Sequence, residues 1–184
     1  LGVVRGGETT RRLAEATVLA EIEARSLTAL ALEACGVARK ALEYAIEYAA
    51  SREQFGKRIG SYQAVSHPLA TSYTQIELSR SLAFWAAWCV ATGDPQASLA
   101  ASAAKSYAGG RAVAVCEASI QVLGGIGFTW EQELHRLYKR ALGIEGFGAS
   151  GTRLRAEVAA ALIEGNTDRG PAPSLVSASL EQGG

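Results

Sequence analysis

The fold of this chain is decided by the stretch Gln121-Val122-Leu123-Gly124-Gly125-Ile126-Gly127-Phe128-Thr129-Trp130-Glu131. A glycine inside a helix costs about 1 kcal/mol relative to alanine, so three glycines within four positions predict that a helix ends here. Thr129 and Gln132 form a Thr-x-x-Gln capping-box pattern, which predicts that another helix begins at once. The backbone N–H groups of such a turn are able to hold a phosphate or a polar cofactor edge. An ordinary helix–helix turn is the alternative that this stretch alone leaves open.

Apolar residues before this stretch recur at intervals of three and four. On the first predicted helix, from Glu8 to Ala50, these residues are Leu27, Leu30, Ala34, Val37, Ala41, Tyr44 and Tyr48. Their spacing places them on one face of the helix. A polar loop over residues 51–60 separates this helix from a second one, and we expect Ser61 to cap the second helix.

The third helix is predicted to begin with Asp94 as its cap and Pro95 at its first helical position. It extends to about Val122 and is rich in alanine, serine and glycine. The pair Gly109-Gly110 is unfavourable inside a helix, which indicates that another group packs against it.

Two shorter helices are predicted after the glycine stretch. The fourth covers Glu131 to Leu142 and is followed by a glycine-rich loop, Gly143 to Ala149. Ser150 is expected to cap the fifth helix, which ends near Glu164. Five helices joined by short loops predict an all-α fold, an antiparallel helical bundle.

The pattern divides the chain into three parts. Residues 1–7 are interpreted as the remnant of an upstream β-domain or linker, and residues 8–165 as the helical bundle. Residues 166–184 are rich in proline, serine and glycine, so we expect a disordered tail. The sequence contains no methionine, which indicates that it is part of a longer polypeptide.

Composition excludes several classes of function. The chain has 184 residues, and its 18 basic residues balance 18 acidic ones. No long-range field therefore attracts it to nucleic acid or to an anionic membrane. We expect no membrane span, because no apolar run reaches the length needed to cross a bilayer. Cys35, Cys89 and Cys116 lie in apolar surroundings without paired spacing, so we predict reduced core thiols in a cytoplasmic protein. With two histidines in the chain, no metal site is predicted.

A few polar residues have the chemistry of a nucleotide site. Arg52 follows the first helix, and a guanidinium offers a planar fork of donors to a phosphate. Phe55 is able to lie against a flat ring, and the amides of Gln63 and Gln121 to meet a nucleobase or ribose. The residues alone leave open a solvated loop arginine with a buried phenylalanine, and ordinary surface or capping amides.

Two motifs together resemble the acyl-CoA dehydrogenase family. The first joins Ala41-Leu42-Glu43 to the run Ser51-Arg52-Glu53-Gln54-Phe55-Gly56-Lys57-Arg58-Ile59-Gly60-Ser61-Tyr62-Gln63-Ala64-Val65, and the second is the glycine stretch. Their order and separation are those of the family. The resemblance covers roughly Glu8 to Glu164, which corresponds to the C-terminal helical domain of these enzymes.

The resemblance implies a flavoprotein that holds FAD across a subunit interface. The family's reaction is the α,β-dehydrogenation of an acyl-CoA, in which a glutamate removes the α-proton and the β-hydrogen leaves as hydride to the flavin. An electron-transfer acceptor protein and a homo- or hetero-oligomer, dimer or tetramer, are implied as partners. The residues implied or proposed to bind FAD are Arg52, Gln54, Phe55 and Gln63 and, from the partner subunit, Gln121, Leu123, Gly124 and Gly125.

The chain departs from the family at the catalytic base. The two positions where the family places this glutamate correspond to Gly148 and Ser26, and neither carries a carboxylate. Glu145 is a weak candidate for a relocated base and Glu23 a weaker one; Arg25 lies near the position of an arginine that meets CoA. Three interpretations remain: a dehydrogenase with a relocated base, a non-catalytic FAD-supporting subunit of a heteromer, and a helical binding module without flavin.

Overall fold

The predicted all-α bundle is confirmed by the computed structural model, which describes residues 16–165. Five helices follow one another: α1 (Ala16–Ser51), α2 (Gln63–Thr92), α3 (Ala97–Leu123), α4 (Leu134–Gly146) and α5 (Gly151–Ile163). Short connections make α1, α2 and α3 antiparallel neighbours. The predicted remnant over residues 1–7, the first turns of the first helix and the predicted tail over 166–184 lie outside the described residues.

The core is built around α3, which packs against all four other helices. Fourteen of its 27 residues are buried. The facing stripe of α1 alternates in steps of four and three and consists of Leu27, Ala31, Ala34, Ala38, Ala41 and Ala45, all buried. Because most of these side chains are alanine, the helix axes approach closely, and small changes in volume are felt throughout the core.

Residues Ala97–Phe128 are long and apolar enough, by composition alone, to cross a membrane. The expectation that no run reaches this length is therefore wrong by that criterion. The bundle gives the physical reason, since a helix covered by neighbours on most sides is apolar nearly all round. The composition of α3 thus follows from its central position.

The start of α2 differs from the prediction. A single 3₁₀ turn over Ile59–Ser61 precedes the helix, which begins at Gln63. The Ser61 hydroxyl donates to the Arg58 carbonyl at 2.7 Å, so it closes this turn and does not cap α2. A nearby backbone carbonyl commonly competes in this way with the N–H groups of the helix for a serine hydroxyl.

The start of α3 also moves. The Asp94 carboxylate accepts a hydrogen bond from the Gln96 N–H at 2.8 Å, and the helix begins at Ala97. Asp94 therefore stabilises a turn before the helix, and Pro95 lies in that turn and not at the first helical position. The helix thus begins two residues after the predicted first position, Pro95.

The predicted capping box at Thr129 is absent from the described residues. The Thr129 hydroxyl donates back to the Ile126 carbonyl at 2.9 Å, and α4 begins only at Leu134. Helix α4 then continues through Gly146, beyond the predicted end at Leu142. The Ser150 cap is confirmed, since its hydroxyl accepts from the Arg153 N–H at 3.3 Å.

The loop predicted over residues 51–60 contains a small hairpin. Strands β1 (Glu53–Gln54) and β2 (Lys57–Arg58) pair antiparallel. The two residues between them have positive φ, 55° at Phe55 and 79° at Gly56. This is the backbone of a two-residue type I′ turn, whose twist matches that of the paired strands.

The three cysteines are buried and unpaired, which confirms their predicted place in the core. Burial raises the pKa of the Cys116 thiol to about 12. Such a thiol stays protonated at neutral pH and acts as a small apolar side chain.

Candidate functional site

Arg52 lies at the base of the hairpin with its backbone fixed and its side chain free. Its N–H donates to the Tyr48 carbonyl at 2.8 Å, and its carbonyl accepts from the Ile59 N–H at 2.9 Å. The side chain is exposed. Within residues 16–165 its guanidinium has no hydrogen bond or ion pair. An unpaired guanidinium on a fixed backbone is suited to a phosphate ligand.

Phe55 occupies the tip of the hairpin and is 93% exposed. The alternative that it is a buried loop residue is therefore wrong. A bulky residue in the left-handed region is strained by about 1–3 kcal/mol, and such strain clusters at ligand clamps. No packing in the described chain offsets it. The strained backbone and exposed ring of Phe55 therefore indicate a surface that a ligand or partner covers.

The hairpin is anchored to the start of α2. The Tyr62 hydroxyl donates to the Gln54 carbonyl at 3.1 Å, and the Lys57 ammonium lies 4.2 Å from the Tyr62 ring centroid. The Gln54 amide donates to the neighbouring Glu53 carbonyl at 2.7 Å. Gln63 is exposed as the first residue of α2. The predicted amides are thus at the surface beside Arg52.

The glycine loop turns sharply at the end of α3. Gly124 has φ 63° and ψ −137°, a conformation open essentially only to glycine, and the helix ends here as predicted. A Cβ at Gly127 would come within 2.9 Å of the Ile120 carbonyl oxygen, which shows that the loop folds back on the helix end. Gly125 has open space around it, so its backbone is reachable by a ligand.

The two remaining predicted residues of this loop differ in exposure. Gln121 is exposed, whereas Leu123 is 4% exposed and belongs to the core. Only the main chain of Leu123 is able to meet a ligand. Next to the loop, Phe128 and Trp130 are 77% and 80% exposed, which gives this side of the bundle a largely uncovered aromatic surface.

The hairpin and the glycine loop leave the same end of the bundle. A cavity of about 210 Å³ lies between the end of α1, where the hairpin begins, and the end of α3; its lining includes Ser51 and Leu123. We call this region, residues 51–63 and 121–133, the loop end. The structure therefore brings together the two segments that sequence analysis singled out separately.

The two family positions of the base carry nothing able to remove a proton. Gly148 is exposed with φ 75°, a conformation that strains any residue with a side chain. The Ser26 hydroxyl donates to the Ile22 carbonyl of its own helix at 2.8 Å. Of the nearby charges, Glu23 lies 3.9 Å from Arg153 and Arg25 pairs with Glu21.

Glu145, the candidate for a relocated base, points inward. A Cβ added at Gly109 or at Gly151 would meet a carboxylate oxygen of Glu145. The expectation that a group packs on Gly109-Gly110 is thus confirmed for Gly109, whereas nothing lies within 4 Å of a Cβ at Gly110. Among the described residues the Glu145 Oε2 atom is buried with no hydrogen-bond partner. The carboxylate faces α3 and α5, away from the exposed loop at Gly148.

Lys105 is a residue that sequence analysis missed. It is fully buried, and its ammonium donates to the carbonyls of Glu145, at 2.8 Å, and Ala149. Burial lowers its pKa, and the nearby Glu145 carboxylate opposes that change. In the sequence, the sign of this residue was a single lysine on the buried, alanine-rich face of α3. Lys105 holds the end of α4 and the following loop in place. We call residues 145–151, together with Lys105 and Gly109, the α4–α5 junction.

The chain is similar to proteins of one known family. The family model "Acyl-CoA dehydrogenase, C-terminal domain" matches residues 24–163. The chain is 48% identical over 136 residues to the acyl-CoA dehydrogenase FadE34 of Mycobacterium tuberculosis, covering 73% of this chain and 19% of that protein. No group of three or more potential metal ligands occurs within the described part of the chain.

Solved structures agree with this match. Butyryl-CoA dehydrogenase from Megasphaera elsdenii superposes with a TM-score of 0.76 at 29% identity, over 80% of this chain and 39% of that one. PigA in a structure with FAD and proline superposes with a TM-score of 0.72 at 26% identity, over 76% and 36%. The chain spans well under half the length of each of these proteins.

Proposed function

Because the chain belongs to the acyl-CoA dehydrogenase family, whose C-terminal-domain model matches residues 24–163, we propose that it supplies the FAD-binding and oligomerisation domain for α,β-dehydrogenation of an acyl-CoA thioester. The observation that carries the proposal is the loop end. There Arg52 is unpaired, Phe55 is strained and exposed, and the backbone at Gly125 is open, so each of these parts is left free to meet a cofactor in an assembly.

These residues fit the parts of FAD. The Arg52 guanidinium would hold the pyrophosphate, since a planar fork matches two phosphate oxygens. Phe55 offers an apolar face to the adenosine side, with Gln54 and Gln63 beside it. The backbone N–H groups near Gly124 and Gly125 would donate to the same cofactor. When bound, FAD supplies the hydride acceptor.

The proposed assembly is a homo- or hetero-oligomer in which the hairpin of one subunit and the glycine loop of another share one FAD. The exposed aromatic surface of the loop end supports this arrangement, because large exposed apolar patches mark interaction sites. Light scattering of the complete protein should show a dimer or tetramer. A strict monomer that binds FAD tightly would contradict the shared site. We also propose an electron-transfer protein as acceptor.

We further propose that this chain does not supply the catalytic base. Removal of an α-proton needs a carboxylate within hydrogen-bonding reach of the substrate. Gly148 and Ser26 offer none, and the Glu145 carboxylate is turned toward α3 and α5. A partner chain would then provide the base. The alternative is a dehydrogenase in which the loop over residues 147–150 moves and releases Glu145.

The FAD site is tested by two hairpin variants. Arg52→Ala should lower FAD affinity by about tenfold or more, because a charge-assisted hydrogen bond contributes about 1.5–3 kcal/mol. Arg58→Ala is the matched control, since it removes a second exposed, unpaired arginine of the hairpin. The measurement is flavin absorbance retained after gel filtration. Equal release by both variants would make Arg52 an ordinary loop residue.

The missing base is tested by turnover. The full-length protein should show little activity on a panel of acyl-CoA thioesters alone, and activity with its partner subunit. Strong turnover alone that is lost in Glu145→Gln but kept in Glu23→Gln would make Glu145 the base. A full-length protein without flavin bands, with or without partner, would instead support a flavin-free helical module.

A further inference from the structure

Unpaired arginines occur in two places within residues 16–165. Six arginines form ion pairs with glutamates: Arg25, Arg39, Arg80, Arg136, Arg140 and Arg153. Four have no carboxylate within 4 Å in this part of the chain. Two of these, Arg52 and Arg58, belong to the hairpin. The other two, Arg111 and Arg155, lie on different helices and line one groove.

The groove lies between α2, α3 and α5 and encloses about 470 Å³. Its remaining lining consists of Leu82, Ala103, Ser106, Tyr107, Gly110 and Val158. None of these residues is acidic. We call this site the arginine groove. It is separate from the loop end, with which it shares no residue.

Arg155 is held in the groove by neutral acceptors. Its guanidinium donates to the Ser106 carbonyl at 3.3 Å and to the Thr152 hydroxyl at 3.3 Å. The Arg111 guanidinium lies 5.7 Å from the Tyr107 ring centroid. Each arginine thus has a defined position and keeps donors that no carboxylate in the described chain engages. Both guanidiniums remain charged at neutral pH, because arginine does not lose its proton in proteins.

The Glu145 carboxylate lies beside Gly151, as does the Arg155 Nη1 atom, but it forms no ion pair with Arg155 within 4 Å. An anion in the groove would engage the donors that both guanidiniums keep. The Tyr107 hydroxyl adds a further donor, because it has no hydrogen bond within the described residues. Gly110 leaves open space, since nothing lies within 4 Å of a Cβ built on it. The groove therefore combines positive charge, free donors and room.

We propose that the arginine groove is a phosphate-binding site. A phosphate has at least three terminal oxygens, enough to accept from both guanidiniums and the tyrosine hydroxyl together, whereas a carboxylate has two oxygens. The site is independent of FAD binding at the loop end. Free phosphate and the phosphate of a small phosphomonoester share this chemistry, and the experiment separates them.

The test is isothermal titration of the full-length protein with inorganic phosphate and, in a second arm, with glycerol 3-phosphate, at constant ionic strength set by chloride. We expect saturable binding of one phosphate per chain. Arg111→Gln should weaken it at least tenfold, and Arg155→Lys should do so as well, because lysine loses the forked geometry. Arg136→Gln, at an exposed arginine that lies outside the groove and is paired with Glu133, is the control and should change it less than twofold. The ligand that binds more tightly identifies whether the groove takes free phosphate or a phosphomonoester.

A second pair of variants separates charge from folding. Gly110→Glu places a carboxylate in the groove and should abolish phosphate binding, whereas Gly110→Ala adds helix propensity without charge and should retain it. Absence of saturable binding in both arms overturns the proposal. So does binding that survives Arg111→Gln, or binding lost in Arg52→Gln, which would place the phosphate at the hairpin. Loss of self-association in Arg111→Gln without phosphate binding would assign the groove to an acidic residue of another chain.

Discussion

The loop end and the α4–α5 junction differ in whether their charged side chains have partners within the chain. At the loop end, Arg52 is exposed and unpaired and Phe55 keeps a strained backbone without packing contacts. At the junction, Lys105 is fully buried and its ammonium is hydrogen-bonded to the carbonyls of Glu145 and Ala149. The loop end carries features that the described chain does not satisfy. The junction satisfies its buried ammonium with carbonyls of the chain and leaves one buried atom, Glu145 Oε2, without a hydrogen bond.

This difference teaches which part of the chain serves binding and which serves the fold. Backbone strain persists only where the surrounding structure or a ligand compensates it. A buried lysine persists only where its donors are met. Substitutions at the junction should therefore change stability, and those at the loop end should change ligand binding.

The largest expected effect is at Lys105. Lys105→Met keeps the volume but leaves the carbonyls of Glu145 and Ala149 without their charged donor. We expect a loss of about 3–5 kcal/mol in the free energy of unfolding, because each hydrogen bond to a charged group contributes about 1.5–3 kcal/mol. Urea unfolding measures it. Lys40→Met, at an exposed lysine paired with Glu43, is the control and should leave the free energy of unfolding nearly unchanged. Similar losses in both variants would mean that the junction does not depend on the ammonium.

The second effect is a pH dependence in the middle of α3. The pKa of Cys116 is raised from 9.0 to about 12, so the folded state retains a proton that the unfolded state releases. Its stabilising contribution is complete below pH 9 and declines as the pH rises toward 12. Relative to Cys116→Ala, wild-type stability should fall by about 2–3 kcal/mol between pH 8 and pH 11. Parallel pH profiles would show that the packed core does not extend to this thiol.

A smaller effect separates two adjacent glycines. Gly109→Ala forces the Glu145 carboxylate to move and should cost about 1–2 kcal/mol. Gly110→Ala meets nothing within 4 Å and should gain about 1 kcal/mol from helix propensity. In a Glu145→Ala background the cost at Gly109 should become a gain. Thermal unfolding of Gly109→Ala, Gly110→Ala, Glu145→Ala and the Gly109→Ala/Glu145→Ala double variant measures these changes. Additive effects of Gly109→Ala and Glu145→Ala would show that the two residues are not in contact.

The smallest effect on stability is expected at the loop end. Phe55→Ala removes a ring that is 93% exposed, so the free energy of unfolding should change by less than about 0.5 kcal/mol. Under the proposed function the same variant should retain less FAD after gel filtration. A large loss of stability would show that Phe55 packs in the free chain, and the contrast between the two regions would weaken.

Patterns local in sequence predicted the fold well. The spacing of Leu27, Ala34 and Ala41 identified the buried face of α1, and Gly124 identified the end of α3. Helix starts were less predictable, because Ser61 and Thr129 have nearby carbonyls that compete for their hydroxyls. Propensity alone cannot rank such neighbours.

The candidate site was predictable only in part. Arg52 and the glycine loop belong to recognisable motifs, whereas Lys105 acts on carbonyls 40 and 44 residues away. The arginine groove joins Arg111 and Arg155 across two helices. No spacing rule connects residues at such separations, so these features required the packed structure.

Helix α3 links the two regions as a single rod, and this limits how the sequence between them can change in length. From Lys105 to Leu123 the helix rises about 27 Å, at about 1.5 Å per residue. One inserted residue would turn the glycine loop by about 100° relative to the junction, away from the hairpin. A seven-residue change would nearly restore the direction but shift the loop by about 10 Å. Insertions between these positions are therefore excluded by geometry, whereas substitutions on the outer face are not.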